Sequence, residues 1–139
     1  MCDYCDCRTR PLIAELGEQH AGITAAIARL RLAQREDRPL GPPAAALVTL
    51  LQHHSALEEA TLYPELPAVD IPDAPLVAEH DAVDRALGRV AGGHDEDALD
   101  DVLDALERHI RTEEYDLFPA AHQLLDDQAW DRIDARHDT

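Results

Sequence analysis

Residues 54–64 read HSALEEATLYP, and residues 109–119 read HIRTEEYDLFP. Both are H-x-x-x-E-E-x-x-L-[YF]-P, aligned without an insertion. Residues four apart on a helix lie on one face, one turn along. His54 and Glu58 therefore reach a common point, and so do His109 and Glu113. Each pair sits on an apolar stripe at helical spacing. The first stripe is Leu47, Leu50, His54, Leu57 with Glu58, then Thr61 with Leu62. The second is Leu99, Val102, Leu106, His109 with Ile110, Glu113 and Leu117. A carboxylate on a core-facing stripe is costly to bury unless it is paired or binds a cation.

Outward from the repeat, two more stripes each carry one histidine. Ile13, Leu16, His20, Ile23, Ile27 and Leu30 follow Pro11, a residue suited to the first helical turn. Leu76, His80, Val83, Leu87 and Val90 follow Asp73, which suits an N-cap, and end at Gly92 and Gly93. The chain thus alternates: His, then HxxxE, then His, then HxxxE. Proline- and glycine-bearing connections near residues 37–43, 64–75 and 92–95 separate the four segments. Four helices with short connections predict an all-α, up-down-up-down antiparallel four-helix bundle. The expected layout is a short N-terminal arm over residues 1–11, the bundle over 12–122, and a partly helical tail over 123–139 that contains Trp130.

Composition agrees with this reading. Of 139 residues, 45% are hydrophobic, which supports a sizeable core, and only 4% are aromatic. Alanine and leucine dominate over β-branched residues, favouring helix over strand. The formal net charge is −17, so the chain repels phosphate backbones and anionic lipid, and neither nucleic acid nor a membrane is an expected partner. No apolar run approaches the ~20 residues of a membrane span. No apolar signal region is seen at the N-terminus, and the cytoplasm is the expected location.

Four stripe histidines and two stripe carboxylates would make a poor core without a cation. Imidazole with carboxylate suits iron, and zinc or manganese less exclusively. The candidate metal ligands are His20, His54, Glu58, His80, His109 and Glu113. Further candidates are Glu79 and Asp84, next to His80. His53, Glu59, Tyr63, Glu114 and His122 are read as solvated or supporting residues.

With this motif, the chain resembles the hemerythrin-like family of HHE cation-binding domains, over roughly residues 12–122. The resemblance implies two iron ions joined by an oxo or hydroxo bridge and by two carboxylates, Glu58 and Glu113. It assigns His20 and His54 to one iron, and His80 and His109 to the other. The implied activity is binding of, or reaction with, O2 or peroxide, with catalase- or peroxidase-like turnover as one form. The alternative is a non-enzymatic sensor of iron, O2 or nitric oxide, or a plain metal-binding module. Oxygen-carrying hemerythrins have two histidines one turn apart on the third helix. Here Leu76 and Asp84 flank His80 at that spacing, and the second bridging acid follows its histidine by four residues rather than five. Both departures point toward reaction rather than reversible O2 carriage. A ferritin-like site would use Glu-x-x-His pairs, the reverse order at another spacing.

Cys2, Cys5 and Cys7 form C-x-x-C-x-C outside the region of resemblance. An odd, clustered set does not read as a disulfide framework. The spacing suits a second metal site or a redox dithiol.

Overall fold

The computed structural model describes residues 6–139, and Cys2 and Cys5 lie outside the described residues. The regular structure described is helical. It comprises α1 (Pro11–Arg35), α2 (Gly41–Thr61), α3 (Ala74–Ala91), α4 (Leu99–Thr112), a π-helical turn (Glu113–Leu117), α5 (Phe118–Leu124) and α6 (Asp127–His137), with short 3-10 turns between them. Helix α1 packs on α2 and α4, and α3 packs on the same two helices. Among the described residues, no helix is long and apolar enough to cross a membrane.

The helix starts and stops follow from local chemistry. Pro11 opens α1 at a position where its missing N–H is no loss. Asp73 occupies the N-cap of α3, but its side chain makes no capping bond; its carbonyl instead accepts from Leu76 and Val77. Gly92 caps α3, and the left-handed residue is its neighbour Gly93, at φ 86°. Helix α2 ends at Thr61. Pro64 and Pro67 then admit only the 3-10 turns Tyr63–Glu65 and Pro67–Val69.

The buried faces correct two stripe positions. Leu51 is buried where Leu50 was expected, and Leu50 is exposed. Leu103 is fully buried, whereas Val102 is only partly covered. In both cases the inward face is rotated by one residue, about 100°, from the simplest stripe.

Apolar packing forms two clusters, and the helices run between them. The first holds Ile23 to Ala33 of α1, Ala44 to Leu51 of α2, Leu87 and Val90 of α3, and Leu99 to Ile110 of α4. The second holds Leu12 to Leu16, Leu62 to Leu66, Leu117 to Ala121 and the tail residues Ala129, Trp130 and Ile133. Along α1 and α3 the chain passes from the second cluster to the first, and along α2 and α4 from the first to the second. Between the clusters each helix places its histidine.

The tail is part of the core. Trp130 and Ile133 are fully buried, and the Arg10 guanidinium lies 4.6 Å from the Trp130 ring centroid. Arg132 and Arg136 both reach Glu65, at 2.6 and 2.8 Å, clamping α6 to the end of α2. Asp126 caps α6 by accepting from the Ala129 N–H at 2.8 Å. Cys7 is also fully buried in the second cluster. Its sulfur is disulfide-bonded, a state that a redox dithiol can adopt. A sulfur so bonded offers no thiolate to a metal.

Candidate metal centre

His20, His54, Glu58, His80, His109 and Glu113 are all buried and converge between the two apolar clusters. Their donor atoms form two sets, each lying within 4.8 Å of one another. One is His20, His54 and Glu113; the other is Glu58, His80, His109 and Glu113. Glu113 belongs to both. Its Oε1 is 2.9 Å from His20 Nε2, 3.3 Å from His109 Nε2 and 3.6 Å from His54 Nε2. Glu58 Oε1 is 2.9 Å from His54 Nε2 and 3.3 Å from His80 Nε2. The Nε2 atoms of His20 and His54 are 3.1 Å apart, and those of His80 and His109 are 3.3 Å apart.

This packing is electrostatically demanding. Burial, then the neighbouring Glu113 charge, pushes the Glu58 carboxyl up. Burial acts on Glu113 in the same direction, but its close contacts with Glu58, His109, His20 and His54 outweigh it and hold Glu113 well below the usual carboxylate range. Burial alone would lower His54 and His109. Their contacts with Glu113, and for His54 also Glu58, instead raise them to about 10 and about 9. Glu58 Oε1 is within ion-pair distance of His54 and His80, yet neither Glu58 oxygen makes a well-aligned hydrogen bond. A buried carboxylate with such incomplete hydrogen bonding is costly, and a cation at its oxygens would offset that cost. The donor set of imidazoles and carboxylates, with orphaned oxygens at its centre, fits a divalent metal.

The outward ring nitrogens are also held. His20 Nδ1 is 2.9 Å from Glu114 Oε1, and His80 Nδ1 is 2.9 Å from Glu59 Oε2. His54 Nδ1 is 2.7 Å from Gln19 Oε1, and His109 Nδ1 is 3.5 Å from Glu79 Oε1. A partner on Nδ1 fixes the tautomer that leaves Nε2 free for a metal and strengthens it as a donor. Each lone-histidine helix thus uses the residue before its histidine to orient a neighbour. Each HxxxEE helix uses its second glutamate in the same way. Sequence reading left Glu59 and Glu114 as solvated or supporting and overlooked Gln19. The doubled glutamate was the available signal: one acid faces the centre, and its neighbour, rotated about 100°, meets the next helix.

The other sequence candidates fall outside the cluster. Glu79 supports His109 and is half exposed. Asp84 accepts from Gln52 Nε2 at 3.4 Å and is in neither donor set. His53 is exposed. His122 Nδ1 accepts from Arg10 Nε at 3.3 Å. Tyr63 donates to Glu113 Oε2 at 3.0 Å, and its hydroxyl lies 3.2 Å from His80 Nε2. Its phenol is pushed far up by burial and by the Glu113 and Glu58 charges, so it remains a donor.

A turn of π-helix begins at Glu113 itself. Such a turn is often found at a functional site. A small cavity of about 20 Å³ adjoins the centre, lined by Ile23, Leu51, Val83, Leu106 and Ile110 beside His54, His80 and His109. That is room for a water-sized molecule on an apolar approach.

The profile of the hemerythrin HHE cation-binding domain matches residues 12–121. The chain belongs to this family. Comparison with curated proteins and with solved structures returned no match. In this hemerythrin domain the matched region runs from α1 into α5 and includes all six clustered side chains, so cation binding is what the family and the geometry share.

The metal-free hemerythrin domain carries protons where a metal would sit. His54 and His109 are raised well above the ~6.5 of an unfolded histidine. The stability they contribute is fully present below about pH 6.5 and is lost as pH rises through about 9 and about 10. A metal needs both rings neutral, so its uptake displaces these protons. Apparent metal affinity is therefore expected to rise from pH 6.5 to 8.5, with protons released as the metal loads at neutral pH. Titrations in buffers of different ionisation enthalpy check this, and an affinity independent of pH would contradict it.

Proposed function

We propose that the cluster holds a pair of iron ions and that the loaded protein reacts with O2 or a peroxide. The observation that carries this reading is the sharing of Glu113 between two donor sets. Glu113 and Glu58 are the proposed bridging carboxylates, with His20 and His54 on one ion, and His80 and His109 on the other. The bundle is read as up-down-up-down, supported by the alternating order in which the helices meet the two apolar clusters.

Bound iron would supply the electrons for reduction of the oxidant. The chain's own residues provide the rest. Gln19, Glu59, Glu79 and Glu114 hold the rings in register. Ile23, Leu51, Val83, Leu106 and Ile110 keep the approach apolar and admit only small molecules. Tyr63 keeps an O–H aimed into the centre, donated to Glu113 Oε2.

The test is anaerobic loading with ferrous iron followed by excess peroxide. An enzyme disproportionates it repeatedly, two peroxides giving one O2 and two waters. A sensor consumes about one oxidant equivalent per centre and stops. Absence of any reaction with O2 or peroxide would remove the redox reading and leave a cation-binding module.

A further inference from the structure

The small cavity beside the centre meets solvent at Glu79. Ile23, Leu51, Leu106 and Ile110 of its wall are buried, as are its three histidines. Ser55 and Val83 are half-buried, and Glu79 is the exposed residue of the lining. Its side chain is 55% exposed. Glu79 is also the loosest of the four groups on the outward ring nitrogens. It stands 3.5 Å from His109 Nδ1, whereas Gln19 stands 2.7 Å from His54, and Glu59 and Glu114 each stand 2.9 Å from their histidines. A surface groove beside this mouth shares Ser55 and His80 with the cavity and adds Glu59, Asp81 and Asp84. No arginine lines either the cavity or that groove. The way in is therefore ringed by negative charge, and Glu79 is the part of the ring that stands in the opening.

We propose, resting on the two-iron reading above, that Glu79 is a charged gate: it admits small uncharged molecules to the cavity and turns small anions away. An anion must pass an exposed carboxylate and then leave water for an apolar wall, and both steps are unfavourable. An uncharged molecule meets neither cost. O2, nitric oxide and hydrogen peroxide belong to the admitted class at neutral pH. Superoxide, nitrite and azide belong to the excluded one. The net charge of −17 acts in the same sense from farther away, but salt screens it beyond about 10 Å, so the charge at the mouth decides. Bound cations would attract an anion once it is inside. The gate therefore acts on the rate of entry more than on final affinity.

The test is stopped-flow mixing of the iron-loaded full chain, with azide for the oxidised form and nitric oxide for the reduced form. Glu79→Gln is the first variant, because the amide oxygen of Gln19 already serves His54 at 2.7 Å and an amide at position 79 can serve His109 likewise. Azide association is expected to quicken about fivefold at low salt, the factor that one unit charge gives at about 4 Å in bulk water. That gain should shrink as salt is added. Nitric oxide association is expected to stay unchanged. Glu79→Lys reverses the charge and should quicken azide further. An azide rate unmoved in both variants would overturn the gate. Equal acceleration of azide and nitric oxide would overturn it too, since Glu79 would then act by bulk or through His109 rather than by charge. Iron is counted first, and a chain without two irons would instead overturn the reading of the centre, and the gate with it.

Discussion

Glu113→Gln is expected to yield a folded protein that retains no metal through dialysis at either position. Glu113 is the residue common to both donor sets, so its loss removes an anionic donor from each at once. The amide keeps the side chain's size and can still accept from Tyr63, so the core around it need not collapse. It cannot offer the negative charge that a dication requires in a site closed to water. His54 and His109 also lose the partner that holds them protonated, so the metal-free variant should lose its stability advantage at neutral pH. Elemental analysis beside a thermal melt checks both. By contrast, Glu58→Gln leaves the His20, His54 and Glu113 set intact and is expected to reduce metal content rather than abolish it. If Glu113→Gln kept full metal content, Glu113 would not be the shared ligand.

Trp130→Ala should have the largest effect on stability away from the metal. Trp130 is 1% exposed, and it packs in the cluster that also holds Leu12, Leu16, Leu62 and Phe118. Emptying a site of that size costs about 3–5 kcal/mol. Losing the Arg10 guanidinium over the ring adds about 0.5–1 kcal/mol. Total stability of a domain is only about 5–15 kcal/mol, so the variant should be marginal when metal-free. Metal binds only the folded form and is expected to restore part of the loss. Urea melts in chelator, repeated after metal is added, measure both. A loss under about 1 kcal/mol would show that the tail is an appendage rather than core.

The repeat was legible because a helix turns the spacing of four into a shared point. That rule placed His54 with Glu58 and His109 with Glu113, and the apolar stripes placed His20 and His80 opposite them. What sequence left open was everything set by the neighbouring helix. Whether Glu59 and Glu114 meet water or a histidine depends on where α3 and α1 lie. The same holds for Gln19, whose amide gives no sign by itself that His54 is within reach. The choice of Leu51 over Leu50 turns on a rotation of one residue, which a stripe with leucines at both positions cannot decide. The π-turn at Glu113 likewise has no local signature, since the matching stretch from Glu58 continues as ordinary helix to Thr61. Nothing in the sequence signalled that Trp130 of the tail enters the core, and Glu65 with Arg132 and Arg136 shows how the tail is held there.

Metal content of the freshly purified full chain decides whether the bundle holds the proposed pair of irons. Elemental analysis after dialysis should find about two irons per chain, falling to none in Glu113→Gln. One zinc per chain, or no metal that withstands dialysis, would contradict it.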